Sequence, residues 1–518
     1  MSGLAPDMAL TALLDGLAVI PPTAARVTDL TLDSRDVRPG SLYFALGGRR
    51  THGLEFAADA AARGASVVLW DPAEAAGRTV PTTVGLGGSA AGWSGERAGD
   101  CFAAPVTGLR DVLGRIADRF FGSPSAHLRV TGITGTNGKT TSAYLLAQAL
   151  GGPGNDAGYM GTIGWGQTGA LEVPTHTTPD VITVHRQLAT LQAAGVRDVA
   201  MEVSSHALDQ GRVDGVRFHS AAFTNLTRDH LDYHATMEAY GAAKARLFAV
   251  DGLQQLVINI GDAFGRQLAS QYLGRVPVTA VWVGAADSRW MSAPSICATE
   301  LKLDVHGLSM RIEGACGERL VKTRLMGRFN AENALLVLGC LLGLGMSPDD
   351  AVAALECCVA PPGRMEVIEA PQHDKPVAVI DYAHTPDALA KALAALREHC
   401  RGALWCVFGC GGDRDPGKRP IMGAIADDMA DQIIITDDNP RSEDPEHITR
   451  AIADGVTAHR PRVIHDRREA IAAALTAAAA SDMVLIAGKG HEEYQIYAAG
   501  RRTFSDRAVA RQCLGLAA

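Results

Sequence analysis

The sequence predicts an α/β protein of three domains: a small N-terminal α/β unit, a central, mostly parallel sheet with an antiparallel appendage, and a C-terminal Rossmann-like α/β unit. Three observations carry this. At 518 residues the chain is too long for one core. Along most of it, short apolar runs alternate with helix-like stretches, the pattern of parallel strands joined by helical crossovers. Beyond residue 360, four apolar runs each end in a charged or glycine-rich loop.

Composition narrows the class. Apolar residues make up 47% and charged residues 20%, with 56 glycines, which excludes large-scale disorder. Lys plus Arg is 48 against 57 Asp plus Glu, and the net charge of −9 gives no overall attraction to nucleic acid or an anionic membrane. The first twenty residues lack a cationic start and include Asp7 and Asp15, so neither a signal peptide nor a membrane span is expected. A cytoplasmic enzyme is the expectation, acting on small molecules as a monomer. Ten cysteines without paired C-x-x-C spacing, Cys357 and Cys358 among them, suit a reducing compartment rather than a disulfide or zinc framework.

Domain 1 is expected over residues 1–106. SLYFAL and ASVVLW read as strands flanking the helix-like EFAADAAARG, whereas 71–106 is turn-rich and aperiodic, the mark of a surface excursion. Domain 2 is expected over 107–359. Its strands VRDVAMEV, RFHSAAFTN, LQQLVINI and VTAVWVG are interleaved with helices such as SAYLLAQALGG. ICATELKLDVHGLSMRIEG then switches to period-two alternation around a His-Gly turn, an antiparallel appendage, followed by two helices of which the second has Ser347 as N-cap. Domain 3 is expected over 360–518. Its strands VAVID, GALWCVFG, QIIIT and DMVLIAG run into DYAHTPD, CGGDRDPGKRP, DDNPRSEDP and KGHEEYQ. In an open parallel sheet such loops share one edge, where ligands bind.

LRVTGI feeding GTNGKTT ahead of an alanine-rich helix has the order of a phosphate cradle. Backbone N–H groups of Gly135, Thr136, Asn137, Gly138 and Thr141 would face an anion, Lys139 would reach the outer phosphates, and Thr140 would bind Mg²⁺. The spacing departs from G-x-x-x-x-G-K-[ST], because Ile133 stands five before Gly138. Such a site needs a further metal-positioning group after an apolar strand. VRDVAMEV supplies Glu202, and the next strand leads to His230. His230 and His234 could instead form a helical zinc pair, a reading weakened by the missing H-E-x-x-H glutamate and third ligand.

Ten ordered motifs, TGTNGKTT, MEVSSHALDQGRV, TNLTRDHLDYH, the AAK helix, GRFNAENAL, GRME, DYAHTPD, GCGGDRDPGKRP, DDNPRSEDP and AGKGHEEYQ, resemble the Mur ligases from about residue 27 onward. The resemblance implies ATP-dependent amide synthesis: a substrate carboxylate is phosphorylated and an amine displaces phosphate. It places Lys139, Glu202, His230 and Lys244 in the catalytic centre, with Thr140, Glu202, His230 and a CO₂-derived carbamate on Lys244 holding Mg²⁺. It assigns Asn330, Arg364 and Asp381 to ATP. Leu32, Ser34, Arg49, Arg50 and Thr51 would bind the uridine nucleotide, and Thr177, Thr178, Ser204, Gln210 and Arg212 the muramoyl dipeptide.

For the amine, the resemblance implies meso-diaminopimelate held by Arg414, Asp438, Asn439, Pro440, Arg441, Gly488 and Glu492. Arg441 can grip a distal carboxylate by two parallel bonds, which lysine as the incoming amine could not use. Bland pairing of Arg441 with Glu443 or Asp444 is the alternative. A lysine-adding Mur ligase and a folylpolyglutamate synthetase-like ligase are the competing enzyme readings, and a P-loop switch without amide synthesis is the competing non-ligase one.

Overall fold

Four strands near the C-terminus, Val377–Asp381, Met483–Ala487, Leu404–Phe408 and Gln432–Ile435, lie side by side and parallel in that order. Their side chains alternate between two cores. Val379, Cys406, Leu485 and Ile433 pack on one face, and Ile380, Val407, Ile486 and Ile434 on the other. Burial on both faces explains why these strands read as unbroken apolar runs. Glu366–Ile368 adds an antiparallel edge and Arg462–Val463 a parallel one.

The computed structural model describes residues 7–48, 51–75, 79–80, 88–89, 96–98, 101–152, 157–173, 176–290, 294–372 and 374–517. The chain divides into two compact units, Met1–Thr134 with Asn155–Ala221 and His230–Gln254, and Gly135–Gly154 with Ala222–Asp229 and Gln255–Ala518.

In the first unit, Asp29–Thr31, Ser41–Phe44, Val67–Trp70 and Cys101–Pro105 run parallel in that order. The expected surface excursion over 71–106 therefore needs correcting at its end. Phe102 and Ala104 pack into one core and Cys101 and Ala103 into another, so both faces are apolar and no period-two signal reaches the sequence. A second group of strands places Asp198–Glu202 between Arg129–Thr134 and Gly158–Gly161, all parallel. Gly164–Gln167 and Ala170–Glu172 extend it antiparallel, an addition the sequence did not announce.

In the second unit, Gln255–Asn259, Val278–Val283 and Ser295–Asp304 are parallel, and the appendage is a three-stranded meander rather than a hairpin. Its first turn is Val305-His306, since Gly307 already pairs with Asp304. Helix starts follow local chemistry: Ser347, Thr385 and Asp444 cap helices whose first residues are Pro348, Pro386 and Pro445.

Behind the C-terminal sheet, Arg467 and Asp506 form a two-pronged ion pair, both 0% exposed, with Nε–Oδ1 2.6 Å and Nη2–Oδ2 2.7 Å. Arg467 Nη2 also donates to Ala487 O at 2.9 Å, tying the end of a central strand to the last helix. Truncating one partner strands a buried charge. Asp506→Ala is expected to destabilise the fold by about 3–5 kcal/mol, read by denaturant unfolding, while an apolar replacement of both partners costs much less.

Candidate functional site

The phosphate loop stands at the start of the helix Lys139–Leu150. Gly135 and Gly138 have φ of 149° and 83°, and a Cβ on either would collide with Thr224 Oγ1 or Asn333 Oδ1. Glycine is required here by both backbone conformation and close approach. Residues 224–227 brace the loop: Thr136 N donates to Asn225 O at 2.8 Å, Asn137 N to Asn225 Oδ1 at 3.0 Å, and Thr227 N to Thr136 Oγ1 at 3.0 Å. Lys139 Nζ donates to the carbonyls of Gly135 and Thr136 at 2.9 and 2.8 Å, so its ammonium lies against the loop. Thr140 and Thr141 occupy the first helical turn, where N–H groups and the helix dipole favour an anion.

Asn330 lies in the first turn of the helix Arg328–Gly343 and is buried. Its Nδ2 donates to Met326 O and its Oδ1 accepts from Asn333 Nδ2, both at 2.8 Å, and Asn333 Oδ1 in turn accepts from Ser142 Oγ at 3.3 Å. A chain of amides thus reaches the phosphate-loop helix. Arg364 stacks on Tyr382 at 4.9 Å, beside Asp381. Burial pushes the Asp381 carboxyl above its ordinary range, against the backbone N–H groups of Met365 and Ala383 and the Arg364 charge.

In the first unit, a second network centres on Glu202, which is 1% exposed. Its Oε1 accepts from Tyr159 OH at 2.5 Å and Thr162 N at 2.8 Å, and its Oε2 from Thr162 Oγ1 at 3.2 Å. Thr162 Oγ1, its one proton directed to Glu202, accepts from the Thr177 hydroxyl at 3.0 Å. Thr178 Oγ1 donates to Glu202 O at 2.9 Å and accepts from Ser204 N at 3.3 Å. Arg212 reaches Thr178 O at 2.9 Å and Gln210 Oε1 at 2.6 Å. The five residues assigned to the dipeptide are therefore one hydrogen-bonded group around Glu202.

His230 does not begin a regular helix; it is the residue before Leu231–His234, with φ of 51°. Its ring meets that of His206 edge-on at 4.9 Å, and His206 lies 5.4 Å from His234. Burial holds the His206 and His234 imidazoles below their ordinary pKa, and the neighbouring His230 adds to both. Lys244 is 1% exposed, with Nζ 4.2 Å above the Tyr240 ring. Among the described residues no group of three His, Cys, Asp or Glu side chains is placed to hold a metal. The N-terminal candidates Leu32, Ser34 and Thr51 follow the carboxyl ends of neighbouring parallel strands, Asp29–Thr31 and Ser41–Phe44. Arg49 and Arg50 lie outside the described residues.

Loops from the C-terminal strands line a cleft of about 800 Å³ that includes Arg414, Asp438, Asn439, Arg441, Gly488 and Glu492. Pro440 sits within the same loop, and its carbonyl approaches Gly412. Arg441 does not pair with Glu443 or Asp444. Both Glu443 oxygens accept from Arg419 Nη2 at 2.9 Å, and Asp444 caps the next helix. Arg441 Nη1 instead donates to Gly412 O at 2.6 Å, and its side chain lines the cleft.

Three family models match successive stretches: Mur ligase family, catalytic domain, over 26–91; Mur ligase middle domain over 133–341; and Mur ligase, glutamate ligase domain, over 363–490. A protein of Ectopseudomonas mendocina named UDP-N-acetylmuramoyl-L-alanyl-D-glutamate--2,6-diaminopimelate ligase is 46% identical over 94% of this chain and 95% of its own. The chain belongs to the Mur ligase family. A Pseudomonas aeruginosa protein of the same name is 47% identical over 94% of this Mur ligase and 95% of its own length. A solved structure with that name superposes with a TM-score of 0.71 at 33% identity, covering 98% and 99% of the two chains. Folylpolyglutamate synthase of Mycobacterium tuberculosis, at 20% identity and TM-score 0.55 over 72% of this chain and 90% of its own, shares the fold alone.

Sequence reading of this Mur ligase missed Tyr159, Thr162, Asn225, Thr227, Asn333 and Lys489. Asn225, Thr227, Asn333 and Lys489 lie inside quoted motifs without a role that spacing reveals, and Tyr159 and Thr162 lie outside every motif. Lys139→Ala is expected to abolish ATP turnover, followed as phosphate release, with little change in thermal unfolding; a wild-type rate would leave Lys139 only its bonds to the loop.

Proposed function

We propose that this Mur ligase joins meso-diaminopimelate to the side-chain carboxylate of D-glutamate in UDP-MurNAc-L-Ala-D-Glu, using ATP. The observation that carries this reading is Arg441, turned into a cleft beside Asn439 and Glu492 while the adjacent carboxylates are engaged elsewhere. A planar guanidinium suits a distal carboxylate, and a fixed carboxylate suits the ammonium on the same carbon.

A carboxylate oxygen attacks the terminal phosphorus of ATP and ADP leaves. The amine, having lost a proton, then attacks the acyl carbon, and the C–O bond to phosphate breaks. Lys139 and the loop N–H groups neutralise the polyphosphate and align it, the main protein contribution in phosphoryl transfer. Asp381 and Arg364 receive the nucleoside and phosphate, and Asn330 shapes the base side through its buried amide. Thr177, Thr178, Ser204, Gln210 and Arg212 hold the dipeptide around Glu202, and Leu32, Ser34, Arg49, Arg50 and Thr51 take the uridine nucleotide.

By the resemblance, Glu202, Thr140 and His230 would hold Mg²⁺; carboxylate and hydroxyl oxygens are the hard donors that cation prefers. When bound, Mg²⁺ supplies charge neutralisation between the two anions. Lys244, buried beside His234 and Tyr240, would repel a cation as an ammonium and attract it as a carbamate. Domain limits of 1–106, 107–359 and 360–518 accommodate the three family stretches. No helix among the described residues is long and apolar enough to cross a membrane, and all ten cysteines are free.

ATP-dependent phosphate release with the nucleotide-linked dipeptide and meso-diaminopimelate tests the reading; equal turnover with lysine would overturn the choice of amine. Arg441→Ala is expected to raise the KM for meso-diaminopimelate about tenfold to a hundredfold, the loss of one charge-assisted contact. Lys244→Ala is expected to be slow and partly restored by a short carboxylate. A mass spectrum of the native enzyme without a carbamate on Lys244 would remove that group from the site.

A further inference from the structure

Lys489 is 0% exposed and is not among the residues that line the amine cleft, yet it touches two that do. Its Nζ donates to Asn439 Oδ1 at 3.1 Å and to Glu492 Oε2 at 3.3 Å. Asn439 Oδ1 also accepts from Ile496 N at 3.0 Å. Two donors converging on one amide atom require that atom to be oxygen. The other end of the amide is therefore NH₂, which donates to Glu492 Oε2 at 3.0 Å. Glu492 Oε2 is in turn fixed by two donors, one from each neighbour.

The surrounding charges give the arrangement its sense. Burial lowers the Lys489 pKa, and the carboxylates of Asp438 and Glu492 oppose that shift. Asp438 Oδ2 is buried with no hydrogen-bond partner among the described residues, while Arg467 is committed to Asp506. Without a cation at position 489, Arg467, already paired with Asp506, would be left as the buried cation facing both Asp438 and Glu492.

We propose that Lys489 is the positioning residue for amine selection: without touching the amino acid, it holds Asn439 with its N–H end available to a carboxylate and Glu492 with its carboxylate available to an ammonium. A distal carbon bearing both groups is then received in one orientation. With Lys489 gone, the Ile496 N–H is the one remaining donor to the Asn439 oxygen, so the amide is less firmly oriented and its oxygen can turn toward the cleft, where it repels a carboxylate. The loss at Asn439 falls on a diamino dicarboxylate alone, whereas a loss at Glu492 is shared with a diamine bearing one carboxylate, so the dicarboxylate loses more. This inference rests on the reading of the amine substrate given above.

The test is steady-state kinetics of the full chain carrying Lys489→Met, with meso-diaminopimelate and lysine compared as amines. The KM for meso-diaminopimelate is expected to rise about tenfold to a hundredfold, the magnitude of one or two charge-assisted contacts. The KM for ATP and for the nucleotide-linked dipeptide should stay within about twofold, and kcat should fall far less than KM rises, so selectivity over lysine drops. In an Asn439→Ala background, Lys489→Met should add much less, because its route to the substrate has been removed. An unchanged KM for meso-diaminopimelate in a normally folded variant, or equal losses for both amines and ATP, overturns the proposal. If thermal unfolding shows that Lys489→Met does not fold, Lys489→Gln, which keeps a donor, is expected to give a smaller rise in the same direction, and no rise overturns the proposal. Wild-type protein inert toward meso-diaminopimelate would instead overturn the substrate reading itself.

Discussion

Strands buried on both faces have room for polar side chains only at their ends, and in a parallel sheet all carboxyl ends share one edge. That constraint organises the C-terminal region. Val377–Asp381, Leu404–Phe408, Gln432–Ile435 and Met483–Ala487 carry apolar residues through two cores, the first ending on Asp381 and the others followed by loops that hold Arg414, Arg441 and Glu492. The N-terminal sheet obeys the same rule with Leu32 and Ser34. A cleft at such an edge follows from the sheet, and its chemistry depends on which loop residues the edge brings together.

Polar groups gathered at that edge are partly removed from water, so each needs a partner. The structure meets this need with residues that touch no substrate in the proposed scheme. Tyr159 and Thr162 hold Glu202, Asn225 and Thr227 hold the phosphate loop, and Lys489 holds Asn439 and Glu492. Arg467 and Asp506 anchor the strand ends from behind. Buried hydrogen-bonded networks stiffen the side chains they hold, which suits a site that must present a donor to one group and an acceptor to its neighbour on the same carbon, while Asp438 Oδ2 at the same edge has no hydrogen-bond partner among the described residues.

Most strands and helices, and the cap at Ser347, were legible because they follow from local periodicity and turn chemistry. The phosphate loop was legible despite its irregular spacing, since strand, glycine turn and helix are contiguous. Cys101–Pro105 was not: with apolar residues on both faces and a turn-rich approach, it has no period to detect. The antiparallel additions Gly164–Gln167 and Ala170–Glu172 are short, the first with two glycines, and the third strand of the meander alternates weakly.

By itself the sequence determined the α/β class, the order of elements and the loops that leave strand ends, because each depends on residues close together in the chain. Tertiary structure alone decided the pairings. Glu202 meets Thr162 across 40 residues and Lys489 meets Asn439 across 50, and both depend on strand neighbours that no local pattern encodes. The same holds for Arg441, whose neighbours Glu443 and Asp444 look like partners in the chain. Folding gives those carboxylates to Arg419 and a helix N-terminus, and turns the guanidinium toward the cleft.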